Sequence, residues 1–597
     1  MAKKQLILGI DLGTTFSLAS LRVGEDQFRF FTPEAGGDQL VPSVFLHKGD
    51  GEICVGAAAE TEEKFERHRR HVVRHVKRYM KYNYQEGNQE PETFNSNERS
   101  YLPSEISGHI LRTLKEAAER EFRKPSNGDY RAEYEWSGYI HSAVITVPAY
   151  FGASERQATI DAAKFAGFSP ANVELLDEPV AAAISLNLHH LPGSRIILVV
   201  DVGGGTTDIT LLKVGKNVEN GGFFELGRIG DAELGGVDID EKIVHHAIYC
   251  KDRSKRYSMD ELDALEDKRR QGPFFQRAEA EKKKVCREMR DKKGVFGEVR
   301  YREPEKNDMF EVKFTEQWLR DETEDIIEYC ALLCDFLLNN VDRKEAGVGR
   351  KGHGISWKQV DQLWMVGGSS LMPHLQERLA CRLRDPNKLK IAPRPQHAVA
   401  EGAAIYADML SRKQPLKGIA MPRCPCDIGI MVLPEKSLLQ RLREWGRRCY
   451  ASKSGSVELR PAKKFFPLIL SNSLLSDEGQ RTRPYSVHAV PGRDGTIPIE
   501  ICLRFVSRTP SPVSETNLSG STAGRTKSQI NYVVRPIHRL KIPNLPPLPG
   551  YALDVVDFDI TYEPNHTLHF APRYRGHVLE PVIVHGGEFD VIFKEKE

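Results

Sequence analysis

The sequence predicts an α/β architecture of two similar lobes, followed by a separate, mostly β domain. Three observations carry this. An apolar run, an acid, glycine and paired threonines occur twice, as LILGIDLGTTFSLA from Leu6 and LVVDVGGGTTDI from Leu198. The acids Asp11 and Asp201 stand 190 positions apart, the scale of a domain rather than a loop. Strands and helices then alternate, HSAVITVPAY before ASERQATIDAAKFAGF being the clearest pair. Finally, composition changes near Ser411. From there to Leu470, 13 Lys and Arg face 4 Asp and Glu, a local net charge of +9. Period-two stretches such as YSVHAV, IPIEICLRF and YALDVVDFDITY follow.

In the second of the repeated stretches, Leu198 to Val200 reads as a buried strand delivering Asp201 to a tight turn. Gly203, Gly204 and Gly205 can take positive φ there and let backbone N–H groups approach a phosphate. Thr206 and Thr207 add hydroxyls; Asp201 and Asp208 add carboxylates. Acids beside phosphates make sense with Mg²⁺ between them, because magnesium keeps most of its waters and is held through one or two carboxylates. A glycine run alone could serve only a hairpin's geometry. The copy at Asp11, Gly13, Thr14 and Thr15 strengthens the phosphate reading, since two such hairpins can clamp one phosphate chain from both sides.

The 597 residues are 40% hydrophobic and 28% charged, the balance of an ordinary soluble protein with ample core. A net charge of +2 argues against a dedicated nucleic-acid binder. No apolar run approaches the roughly 20 residues of a membrane span, and Leu6 to Ile10 is too short for a signal peptide core. A cytoplasmic protein without membrane contact is expected. The ten cysteines form no dense framework. Cys330 and Cys334 read as core, and Cys424-Pro-Cys426 lacks a second ligand pair, so no Cys or His metal site is expected.

Along the chain, Glu62 to Tyr82 reads as a basic helix with Val72, Val73, Val76 and Met80 as its stripe and Lys77 on the solvated face. Asn83 to Ser100 reads as a loop and Glu105 to Phe122 as an amphipathic helix. LLDEPVAAAISL places Glu178 before Pro179 and a small-residue helix, where its carboxylate can face the cleft between the hairpins. Gly235 and Gly236 form a turn before a helix, and residues 251 to 290 are charged and helical. In QLWMVGGSSLMPHLQERL, a strand, the Gly367-Gly368 turn and a helix suit placing backbone against a base or ribose. The helix from His397 carries Gly402, Ala403 and Ala404, which permit close approach. Ser507 to Ser528 reads as a mobile loop.

The order DLGTTFS, VITVPAYFGASERQATIDAAKFAG, DEPVAAAISL, DVGGGTTDI, GGVDID, VGGSSLMP and AVAEGAA resembles the ATPase domain of the heat shock protein 70 chaperones, the DnaK type. The resemblance covers about residues 5 to 410 and implies the actin-like fold, two α/β lobes around a cleft for Mg-ATP or ADP. By position it implies that Asp11 and Asp201 hold magnesium through its waters, and that Thr14, Thr15 and Gly203 to Thr206 are phosphate loops. It implies that Lys77 orients the attacking water, that Glu178 and Thr206 lie near the γ-phosphate, and that Asp208 belongs to the same hairpin. Pro148 and Arg156 match an interlobe switch, Glu281 and Lys284 residues reaching over the nucleoside, and Gly367 and Gly368 the adenosine turn. The expected domains are an ATPase domain over 1–412, a linker over 413–426 and a diverged β domain for substrate or partner over 427–597.

The departures are specific. Leu371 replaces the family arginine that stacks on adenine, and Glu288 stands where a serine touches the base. Glu174 reverses the charge of an arginine that docks J-domain cochaperones, which argues against the usual cochaperone. LKGIAMPRC replaces the usual hydrophobic linker, Leu433 to Tyr450 looks inserted, and no helical lid is expected before Glu597. Two functions follow: a slow ATP-driven chaperone acting on unfolded polypeptide, or a nucleotide-gated scaffold holding one dedicated protein partner.

Overall fold

The computed structural model describes residues 3–413 except 35, 64, 66–67, 69–70, 84–90, 98, 126–128, 152, 219–221, 233, 252–272, 290–293, 304–307, 342 and 349–353, and beyond them ten strands between 427 and 584. The chain divides near residue 420 into two compact units. In the first, two five-strand paths repeat one design. The first sheet runs Val173–Asp177, Ser142–Val147, Ile7–Leu12, Phe16–Arg22, Phe28–Phe31. The second runs Leu389–Ile391, Gln362–Val366, Arg195–Val202, Thr207–Val214, Phe223–Asp231. In each, the first three strands are parallel and the last two antiparallel. The repeated acid-glycine-threonine sequences are the hairpins joining the third and fourth strands of the two sheets.

These central strands are buried almost throughout, Ser142–Val147 at every position, which explains their continuous apolar runs. Between the sheets pack the helices Glu178–Ser185 and Ala398–Ser411, built from small residues. Their axes come close because position 402 has no side chain: a Cβ on Gly402 would collide with the carbonyl of Ala181. One on Gly9 would likewise meet the backbone of Ala404. The mixed α/β arrangement is consistent with the expected two-lobed, actin-like form.

Two local expectations are corrected. The basic helix Glu62 to Tyr82 is instead the end of a helix (Ala57–Glu62), a strand (Val72–Arg74) and a 3₁₀ segment (Val76–Tyr82). The β-branched Val72 and Val73 pair with the strand Val44–Gly49, and His75 at φ 56° turns the chain out of it. The loop Asn83 to Ser100 contains most of a hairpin, Phe94–Ser96 with Arg99–Tyr101. Helix Pro103–Arg123 matches its amphipathic pattern, and Pro273–Glu288 forms the described part of the charged helical stretch.

The second unit is antiparallel. One sheet runs Lys464–Ile469, Asp427–Val432, Thr496–Arg508, Ile530–Lys541. The other centres on Asp554–Tyr562 and Leu568–Tyr574. The period-two stretches read from the sequence are strands here. Linker residues 414–426, the inserted 433–450 and loop residues 509–528 lie outside the described residues. No described helix is long and apolar enough to cross a membrane.

Candidate functional site

The two hairpins face each other across a cavity of about 730 Å³. Asp11, Gly13, Thr14 and Thr15 line it from one lobe, and Asp201, Gly203, Gly204 and Thr206 from the other. None of Gly203, Gly204 and Gly205 has positive φ, which corrects the reason expected for them. Their role is close approach: a Cβ on Gly204 would strike the Thr15 side chain, and one on Gly205 the Thr14 side chain. The positive φ belongs to Gly367, at 80°, where a Cβ would meet the Asp201 carboxylate.

Behind the hairpins lies a buried charged cluster. Lys77, expected on a solvated face by its sequence alone, is buried and donates to Glu178. Asp11 accepts from the Thr146 hydroxyl at 3.2 Å, and Asp208, opposite Asp201 in the strand register, accepts from the Ala149 N–H at 2.7 Å. Burial, then the neighbouring Glu178 charge, pushes the Asp11 carboxyl up to about 7, with Lys77 pulling the other way. Burial, then Glu178, also raises Asp201 and Asp208 well above the usual carboxylate range. The Asp11, Glu178, Asp201 and Asp208 carboxylates therefore share one ammonium, a set that favours an additional cation. Among the described residues no three His, Cys, Asp or Glu side chains could hold a metal directly. The hydroxyls of Thr14 and Thr15 are buried without a hydrogen-bond partner, as groups awaiting a polar ligand would be.

Gly205 and Asp208 stand just outside the lining. The Gly205 carbonyl accepts from Arg78, whose guanidinium also reaches Asp238 at 3.1 Å. Arg78 and Asp238 thus tie the lobes together beside the hairpins, a role the sequence reading missed; their signals were the Lys77-Arg78 dipeptide and the GGVDID stretch. Arg156, matched to an interlobe switch, pairs with Asp177 at 2.5 Å, and Arg228 binds the same carboxylate at 2.9 Å.

At the other end, Gly367 and Gly368 line the cavity, but Glu281 and Lys284 do not. They pair with each other at 3.0 Å, and Glu281 also accepts from the Glu298 N–H. The residues presented are Glu279, Lys282, Lys283, Cys286 and Arg287. The E-x-x-K pattern occurs twice in AEAEKKKV, and a shift of two positions is about 200° around a helix. For the same reason Cys286, not Glu288, lines the cavity. Lys282 donates to Asp240 at 2.8 Å and to the Gly236 carbonyl at 2.7 Å. Burial raises Asp240 to about 7 despite that partner.

A family model described as Hsp70 protein matches residues 7–433. Among curated proteins, the chain is similar to the chaperone protein DnaK of Thermotoga neapolitana, 28% identical over 435 residues. It is 29% identical over 437 residues to that of Thermosipho melanesiensis. Each match takes in 72% of this chain and 64% of the relative, so the similarity spans under two thirds of those proteins.

Proposed function

The chain belongs to the Hsp70 family, and from that premise we propose that it binds Mg-ATP between its hairpins, hydrolyses it slowly and uses nucleotide state to control its hold on a polypeptide. The observation that carries this is the coincidence of unpartnered Thr14 and Thr15 hydroxyls with a buried carboxylate cluster at the hairpins of one cavity.

In this reading the hydroxyls of Thr14 and Thr15, and of Thr206, donate to phosphate oxygens, and the close-set glycines keep side chains away from them. Asp11 and Asp201 would hold Mg²⁺. When bound, the ion would neutralise charge on the phosphate oxygens. Glu178 fixes the Lys77 ammonium, which orients the attacking water and offsets charge developing on the transferred group. Asp208 acts as a positioning residue, tying its hairpin to Ala149 beside Pro148. Catalysis of this kind is positional and electrostatic, and slow turnover suits a switch.

In the chaperone reading the β unit receives unfolded segments. Glu174, bonded to the Tyr406 hydroxyl at 3.0 Å, favours the second reading, a nucleotide-gated scaffold for a dedicated partner that does without the usual J-domain contact. Single-turnover ATP hydrolysis with Mg²⁺, with and without an unfolded peptide, separates the two. Acceleration by peptide supports the chaperone cycle; tight ATP binding indifferent to peptide supports the scaffold.

A further inference from the structure

The end of the cavity remote from the carboxylates is less polar than its sequence motif suggests. Ser369 and Ser370, which follow the Gly367-Gly368 turn, have already committed their hydroxyls. Ser369 donates to the Gly203 carbonyl at 2.8 Å and Ser370 to the Gly367 carbonyl at 2.6 Å. Leu371, 39% exposed, presents an aliphatic surface to the cavity, and Met372 and Val399 extend it. On the facing helix Cys286 contributes a thiol, at most a weak donor. Lys282 is occupied by Asp240 and the Gly236 carbonyl, and Lys283 by Glu279 at 2.7 Å.

Arg287 and Gln396 are lining side chains that could read a base edge. Arg287, whose Nε donates to the Lys283 carbonyl, offers donors. Adenine and guanine both present N7 as an acceptor, and guanine adds O6. Gln396 lines the same end, its amide nitrogen only 3.1 Å from where a Cβ on Gly368 would lie. A carboxamide both donates and accepts, so by turning over it suits the 6-amino group of adenine or the 6-oxo group of guanine.

We propose that this end of the cavity grips a purine by apolar packing against Leu371 and reads its edge through the ambidextrous Gln396 amide, so that the protein takes guanine as well as adenine nucleoside triphosphates. This rests on the nucleotide-binding reading above and extends it to the substrate class. Sites built to hydrogen-bond one partner reject the wrong one by about 10⁴–10⁵-fold, whereas apolar pockets discriminate by only about 10–200-fold.

The test is displacement of a ribose-labelled fluorescent ATP from the full chain by unlabelled ATP and GTP, with Mg²⁺. GTP competing within about 30-fold of ATP supports the proposal; a larger preference for ATP overturns it. Gln396→Glu supplies a second test on a side chain at the surface of the cavity. A carboxylate only accepts, so it favours the adenine amino group and repels the guanine oxygen; the ATP-to-GTP affinity ratio should rise about tenfold or more. An unchanged ratio overturns the role of Gln396. If the labelled ATP itself does not bind, the nucleotide reading fails, and this proposal with it; a binding protein that strongly prefers ATP sinks only the proposal.

Discussion

Lys77 and Glu178, 101 residues apart in the chain, meet as a buried ion pair in the cavity wall. The lysine comes from a short 3₁₀ segment packed on the helices Pro103–Arg123 and Ala153–Phe165, and the glutamate from the first turn of the helix Glu178–Ser185 between the two sheets. Lys77 is also the positive charge that offsets the Asp11, Asp201 and Asp208 carboxylates, whereas Glu178 adds to their repulsion.

Lys77→Ala should therefore separate binding from turnover. Removing one preorganised positive charge from a developing phosphoryl transition state costs about 10²–10³ in rate. Nucleotide affinity should change less than about tenfold, because the hairpin glycines and Thr14 and Thr15 remain. Single-turnover rates beside equilibrium binding would show the split; a fall in affinity equal to the fall in rate would refute the assigned role.

The raised carboxyls predict proton release on loading. In the folded protein Asp11 titrates near 7, above the ordinary aspartate value of 3.8, so near neutral pH it is partly protonated where an unfolded aspartate is not. Folding thus retains a proton between these values, and without Mg²⁺ this group's contribution to stability is fully present below about 4 and declines as pH rises towards 7. A cation at the cluster favours the ionised form and expels the proton. Calorimetry of Mg-nucleotide binding near pH 7 in buffers of different ionisation enthalpy should show net release, and a Tm that falls from pH 4.5 to 7 without Mg²⁺ should fall less with Mg-nucleotide. Buffer-independent heats would contradict the cluster's electrostatics.

Gly402→Ala tests the closeness of the two central helices. Alanine favours a helix interior by about 1 kcal/mol over glycine. Here the added methyl would run into the Ala181 carbonyl, and overpacking typically costs about 1–3 kcal/mol, more when backbone must move. The steric term wins, so thermal unfolding should shift downward; an unchanged or raised Tm would mean the helices are not so closely set.

Thiol reactivity should report the fold independently of nucleotide. Cys330 and Cys334 are buried in the helix Glu316–Asn340, and burial pushes the Cys330 thiol up to about 12, leaving almost no thiolate at neutral pH. Cys381 is exposed. Iodoacetamide followed by mass mapping should label Cys381 in the native protein and the other two only after denaturation. Native labelling of Cys330 would show that the helix opens readily.

Arg156 and Arg228 share the Asp177 carboxylate next to Glu178. If Arg156 belongs to an interlobe switch, Arg156→Ala should leave basal hydrolysis within about threefold, because Arg228 still neutralises Asp177, while abolishing any acceleration by peptide. Basal and peptide-stimulated rates measured together decide this.

Sequence alone determined the repeated strand, acid, glycine and threonine plan, the small-residue helices and the onset of β structure beyond residue 411. These are local patterns: buried parallel strands must be continuously apolar, and a helix that others approach closely must be small along one face. Family membership was legible for the same reason, as ordered motifs around Asp11, Asp201 and Gly367. What only the tertiary structure decided depends on facing. Periodicity assigned Lys77 to solvent because nothing local marks the partner 101 residues away that buries it. Two overlapping E-x-x-K patterns could not say which face of Pro273–Glu288 looks into the cavity, and the fold chose Glu279 and Lys282 over Glu281 and Lys284. The reason for two of the hairpin glycines was not legible locally, since the need for a missing Cβ at Gly204 and Gly205 arises from the opposite lobe's threonines rather than from positive φ in the turn.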